Sequence, residues 1–278
     1  MNITIVGLGL IGGSLAKATK ARTAHTVMGC DLDEEVKLFA RLTGAIDCQY
    51  DEALLPQSDL ILIALRPGAA IGWLKNNAAH IAKSAVVVDM CGTKREVCEA
   101  MGAIAKENGF MYVGGHPMAG KECGGFVNAS ETLYDGASMI LTPDSSIDMK
   151  TLELLKNYFT DIGFANLTFS TPQEHDEIIA YTSQLAHIVS GAYVKSPTAA
   201  KRRGFSAGSF KDMTRVARLD EDMWTELMLQ NRDFLCDELT VLIEKLSEYR
   251  SALQANDADT LRECLKEGRI CKANAGGN

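Results

Sequence analysis

The run Ile3-Thr4-Ile5-Val6-Gly7-Leu8-Gly9-Leu10-Ile11-Gly12 decides the fold of the first half of this chain. Four β-branched residues predict a buried strand, and the Gly-x-Gly-x-x-Gly turn behind them predicts a sharp reversal into a helix. Each glycine has a mechanical use. Gly7 makes the turn, Gly9 lets a pyrophosphate touch the backbone, and Gly12 packs helix against strand, with Leu8, Leu10 and Ile11 completing the loop. A second short strand, 27–30, ends in Asp31, nineteen residues after Gly12. A carboxylate there accepts hydrogen bonds from ribose hydroxyls and repels a 2′-phosphate, and Asp33, Glu34 and Glu35 add negative charge nearby. The pattern points to a dinucleotide, NAD in preference to NADP.

The chain has 278 residues, 46% of them hydrophobic and 23% charged, enough for one large or two medium cores. No run of eighteen apolar residues occurs, and the first residues enter a strand without a basic leader, so a cytoplasmic protein that does not enter membranes is expected. A formal charge of −8 with no basic face argues against nucleic acid as a partner. An anionic substrate would need a local positive site. The eight cysteines are scattered without a Cys-x-x-Cys or a nearby histidine at ligand spacing, which reads as reduced thiols and no metal.

Strand-like runs recur at 60–64, 86–88, 111–113, 139–141 and 167–169, separated by lengths suited to helical crossovers. This predicts an α/β fold, a Rossmann-type doubly wound and mostly parallel sheet over 1–170. After Pro172 strand signals stop, and 171–278 reads as an all-α domain. Within it, Trp224, Leu227, Met228, Phe234, Leu235, Leu239, Leu242, Ile243 and Leu246 hold one apolar stripe over about 26 residues, roughly 39 Å of helix. A helical domain of that size has little interior to cover such a stripe, so it reads as a homodimer interface, with intradomain core as the alternative. The 273–278 tail reads as disordered.

Ligands of open parallel sheets bind beyond the carboxyl ends of the strands, which singles out three stretches. These are Leu65-Arg66-Pro67, Asp89-Met90-Cys91-Gly92-Thr93-Lys94 and Gly114-Gly115-His116-Pro117-Met118-Ala119-Gly120. The last places an imidazole on a glycine-flanked loop, where a hydride-transfer enzyme needs a base.

Taken with Thr182-Ser183-Gln184-Leu185-Ala186-His187 and Gly208-Ser209-Phe210-Lys211-Asp212-Met213-Thr214-Arg215, followed by Trp224, these motifs resemble the prephenate and arogenate dehydrogenases of tyrosine biosynthesis over essentially the whole chain. The resemblance implies that His116 hydrogen-bonds the ring hydroxyl of the substrate and that Arg215 binds a substrate carboxylate. It implies a pocket lined by His187, Ser183, Gln184, Gly208 and Glu122. A planar, permanently charged guanidinium suits a dianion. Many members carry a serine three positions after the aspartate of Asp-x-x-Ser-x-Lys; here Gly92 stands there, with Thr93 beside it as the candidate hydroxyl. Gln184 replaces a common histidine and Ala186 a common proline.

The implied reaction passes hydride from the carbinol carbon of a cyclohexadienol to NAD while carbon dioxide leaves the opposite ring carbon, driven by aromatisation. Prephenate is the favoured substrate and arogenate the alternative. A different Rossmann hydroxy-acid dehydrogenase and a non-catalytic NAD-responsive protein stay open as rival readings.

Overall fold

The computed structural model describes residues 1–276. The first half alternates strand and helix: β1 (Asn2–Val6), α1 (Leu10–Arg22), β2 (Thr26–Cys30), α2 (Glu34–Leu42), β3 (Cys48–Gln49), β4 (Leu60–Ile63), α3 (Pro67–Asn77), β5 (Val86–Asp89), α4 (Arg95–Asn108), β6 (Met111–Pro117), β7 (Ser138–Thr142), α5 (Met149–Asp161) and β8 (Asn166–Phe169). The strands form one sheet in the order β3-β2-β1-β4-β5-β6-β7-β8. Every pairing is parallel except β6 with β7, where His116 faces Ile140. Strand order reverses direction between β1 and β4, which opens a crevice at their carboxyl ends.

The period-2 alternation of strands explains why both sheet faces are covered. On β4, Leu60 and Leu62 point into the core shared with α1 and α5, whereas Ile61 and Ile63 point into the core under α3 and α4. All four are fully buried, the continuous apolar run that a sheet sandwiched between helices requires.

The second half is helical: α6 (Pro172–Ile179), a π-helical turn Ala180–Leu185, α7 (Ala186–Val194), α8 (Gly208–Thr214), α9 (Glu221–Gln230), α10 (Arg232–Gln254) and α11 (Ala258–Ala275). The single stripe expected across 223–248 is two helices broken at Asn231, which adopts φ −117° and ψ 25°. The break is held by hydrogen bonds. The fully buried Asn231 amide donates to the Asp176 carbonyl at 2.8 Å and to Gln184 Oε1 at 2.9 Å, and its Oδ1 accepts from Arg95 at 3.0 Å. Helix α11 runs into the expected disordered tail and takes in 273–275; it is started by Asp257, whose carboxylate accepts from the amides of Asp259 and Thr260. Of that tail, Gly277 and Asn278 lie outside the described residues. Among the described residues, no helix is long and apolar enough to cross a membrane.

Very little of α10 is buried within the chain: Leu235 and Ala252 are covered, while Val241, Ile243, Leu246 and Leu253 are more than half exposed. An apolar face of this kind needs a partner, in keeping with the homodimer interface expected from the sequence. Introducing Ile243→Glu with Leu246→Glu should give a monomer by size-exclusion chromatography with unchanged circular dichroism, since neither side chain supports its own subunit. Asn231→Leu should cost about 1–3 kcal/mol in urea unfolding, because it leaves three polar partners unsatisfied.

Candidate active site

The cofactor end is built by the glycine turn. Gly7 has φ +85°, and a Cβ on it would lie 2.5 Å from the Ala64 carbonyl oxygen. At Gly12 a Cβ would lie 1.8 Å from the Gly7 oxygen, so any side chain would drive α1 off the sheet. Gly9 faces open space. Helix α1 begins at Gly9 with no side-chain cap and no acidic residue in its first turn, which leaves the amides around Leu10, Ile11 and Gly12 and the positive helix end available to an anion. Asp31 stands at the end of β2, its Oδ2 accepting from the Leu8 amide at 2.7 Å and its Oδ1 from Asp33. This cradle fits a dinucleotide pyrophosphate with a ribose beside Asp31.

Leu65, Arg66 and Pro67 follow β4 on the same rim. Leu65 packs against Gly7, and Pro67 opens α3. The Arg66 guanidinium is taken by Asp220 at 3.0 and 3.1 Å, and Glu226 of α9 accepts from the Gly68 amide at 2.7 Å, so the helical half closes over this rim.

His116 lies in β6, not on a loop beyond it, because antiparallel pairing with β7 extends the strand through Pro117. Its neighbour must be glycine: a Cβ on Gly115 would lie 2.6 Å from the Asp89 carbonyl oxygen. The ring meets a second imidazole that sequence reasoning missed. His116 Nδ1 is 2.9 Å from His175 Nε2, and His175 Nδ1 is 2.7 Å from Asp176 Oδ1. Asp176 also accepts the amides of Lys94 at 2.7 Å and Arg95 at 2.9 Å. Burial is the main reason that both imidazoles hold protons less readily than an ordinary histidine, His116 far less so; the Lys94 charge adds to the effect. Burial alone would raise the Asp176 carboxyl, but hydrogen bonds from His175 and the two amides outweigh it and hold the group below its usual range. Lys94 itself is fully buried in an ion pair with Asp89, whose second oxygen accepts from the Tyr112 hydroxyl at 2.7 Å.

Gly92 faces the opposite side of the His116 ring, since a Cβ there would lie 3.9 Å from Nε2 and 3.4 Å from Leu227. Thr93, the expected hydroxyl, is buried and donates to Gln230 Oε1 at 2.6 Å. Gln184 is likewise committed to structure, its amide nitrogen donating to the Leu227 carbonyl and its oxygen accepting from Asn231. The π-helical turn carrying Ser183 and Gln184 is a wider coil of the kind that often shapes functional sites. It aims His187 so that Nδ1 donates to the Ser183 carbonyl at 2.7 Å while the ring lies 4.0 Å from Trp224.

Arg215, Glu122 and Gly208 are exposed, and neither Arg215 nor Glu122 has an ion-pair partner among the described residues. Helix α8 is tied to α7 by the Ser190 hydroxyl, which donates to the Met213 carbonyl at 2.8 Å two residues before Arg215. Of the Lys201-Arg202-Arg203 run, Arg202 lies over the Phe210 ring.

Residues 15–166 match the family described as Prephenate dehydrogenase, nucleotide-binding domain, and residues 171–267 match Prephenate dehydrogenase, dimerization domain. The cyclohexadienyl dehydrogenase of Zymomonas mobilis is 33% identical over 282 residues, spanning 96% of this chain and 94% of that protein. The prephenate dehydrogenase of Bacillus subtilis is 29% identical over 276 residues, spanning 96% and 74%. The Aquifex aeolicus prephenate dehydrogenase, solved in complex with hydroxyphenyl propionate and NAD+, aligns at TM-score 0.84 and 27% identity over 99% of this chain and 98% of that one. Two family domains in the expected order, together covering most of the sequence, place this chain in the prephenate dehydrogenase family.

Proposed function

We propose that this protein is an NAD-dependent prephenate dehydrogenase that converts prephenate to 4-hydroxyphenylpyruvate and carbon dioxide, with His116 as its acid–base group. The observation that carries the reading is an imidazole held from behind, its Nδ1 2.9 Å from His175 Nε2, with its own Nε2 beside Gly92 at the carboxyl end of the sheet. NAD, when bound, accepts the hydride released by the carbinol carbon of the ring. Gly7, Leu8, Gly9, Leu10, Ile11 and Gly12 hold its pyrophosphate, Asp31 holds the ribose hydroxyls, and Leu65, Arg66 and Pro67 form the rim.

His116 Nε2 takes the proton of the substrate hydroxyl as that carbon gains carbonyl character, and returns it to the oxygen once the ring is aromatic. Arg215 binds a substrate carboxylate: it is a guanidinium without an ion-pair partner among the described residues, in a chain of net charge −8. His187, Ser183, Gly208 and Glu122 line the substrate pocket in this reading. Gln184 and Thr93 act through α9, the first by holding Leu227 and the second by holding Gln230. The Zymomonas relative's name, a cyclohexadienyl dehydrogenase, keeps arogenate as a second substrate. The chain divides at 170/171, between β8 and α6, into a cofactor half and a substrate and dimerisation half. Eight unpaired cysteines favour the cytoplasm.

His116→Asn should lower kcat ~10²–10⁴-fold with NAD affinity nearly unchanged, measured from the 340 nm progress curve and by cofactor titration. A near-normal kcat would remove His116 from the chemistry. The base works when neutral, and its folded pKa is depressed, so activity should be flat through neutral pH and fall only well below about 6.5. A profile still rising above pH 7 would contradict that direction. Arg215→Gln should raise KM for prephenate more than it lowers kcat, since a carboxylate contact persists in ground and transition states.

A further inference from the structure

The imidazole pair at the carboxyl end of β6 contains more information than the presence of a base. Asp176 is ionised, accepting two backbone amides and the His175 ring. A carboxylate only accepts hydrogen bonds, so His175 Nδ1 must carry a hydrogen. His175 is neutral at neutral pH, so its Nε2 keeps a lone pair. The atom 2.9 Å away, His116 Nδ1, must therefore be the donor. Only one tautomer of His116 satisfies the chain, and it leaves Nε2 bare on the side of Gly92.

We propose that His175 and Asp176 are positioning residues for the dehydrogenase reaction, which fix His116 as its Nδ1–H tautomer and so direct the basic Nε2 at the substrate hydroxyl. An aspartate plays this part for the histidine of a serine protease triad; here a second imidazole is interposed. The inference rests on the acid–base role of His116. When Nε2 takes the proton, the substrate O–H bond breaks and an Nε2–H bond forms. The resulting imidazolium keeps its Nδ1–H on His175, and the Asp176 carboxylate faces the positive charge through that ring. Return of the proton to the phenol oxygen restores the starting state.

Two features make this arrangement necessary in this chain. Gly92 offers no hydroxyl to orient the ring from the Nε2 side, and the Thr93 hydroxyl donates to Gln230. Orientation comes from Nδ1 alone. Asp176 is in turn fixed by the first amides of α4 and by Arg95, whose side chain is held by Asp233 at 2.6 Å, so the chain is rigid at its far end.

Ring nitrogen NMR of uniformly 15N-labelled protein at neutral pH, with His116→Asn used for assignment, should show His116 and His175 both protonated at Nδ1. Protonation of His116 at Nε2 would overturn the proposal. In kinetics, His175→Ala should lower kcat ~10–10²-fold while KM for prephenate and NAD stays within about 2-fold. His175→Gln places an amide oxygen where Nε2 was and should recover most of the lost kcat. Equal kcat for His175→Ala and wild type, or no recovery in a His175→Gln protein with native circular dichroism, would also overturn it. Normal turnover in His116→Asn with the tautomers as assigned would instead sink the acid–base role itself, which separates the two failures.

Discussion

The carboxylate of Asp176 is the interaction on which the rest of the structure depends. This one residue in the middle of α6 accepts the first two amides around α4, the ring of His175 and the Nε of Arg95. These partners come from both halves of the chain, so one charged group joins the sheet to the helical half at the point where His116 emerges. A buried carboxylate is costly unless its lone pairs are used, and here they are. Its own carbonyl anchors Asn231, extending the same joint to the break between α9 and α10.

Arg95 makes the joint resistant to shear. It reaches Asp176, Asn231 and Asp233 together, and its guanidinium lies 4.5 Å from the Phe234 ring centre. Exposed ion pairs contribute little singly, but this one is planar, multiply bonded and stacked, which is the geometry in which an arginine holds two elements in register. The neighbouring Lys94 does different work. Buried against Asp89 beneath the site, it is a fixed positive charge that disfavours a second positive charge on either imidazole.

Much of this is legible in the amino-acid sequence. The glycine turn, Asp31 and the run of apolar strands fix the sheet because steric limits on a turn and period-2 burial are local constraints. His116 was visible because glycines and a proline surround it. His175 and Asp176 were not, since the His–Asp pair gains meaning only when the fold brings it 59 residues back to β6. The break at Asn231 was hidden for another reason: one residue out of helical geometry barely shifts the apolar stripe, so periodicity runs straight across it. The two-residue β3 is too short for any pattern, and α11 has too few apolar positions to stand out. Thr93, expected as the hydroxyl beside the catalytic imidazole, and Gln184, expected in the substrate pocket, are each hydrogen-bonded to a neighbour in α9 or at the α9–α10 break.

The helical break also connects assembly to chemistry. Helix α9 brings Leu227 over Gly92, Gln230 onto Thr93 and Trp224 against His187, while α10 begins two residues beyond Gln230 and presents the exposed stripe that a second subunit covers. Asn231, outside helical geometry, separates the two sets of side chains. The polar residue at the joint is fixed by three hydrogen bonds, which specify the break in a way that apolar packing alone would not.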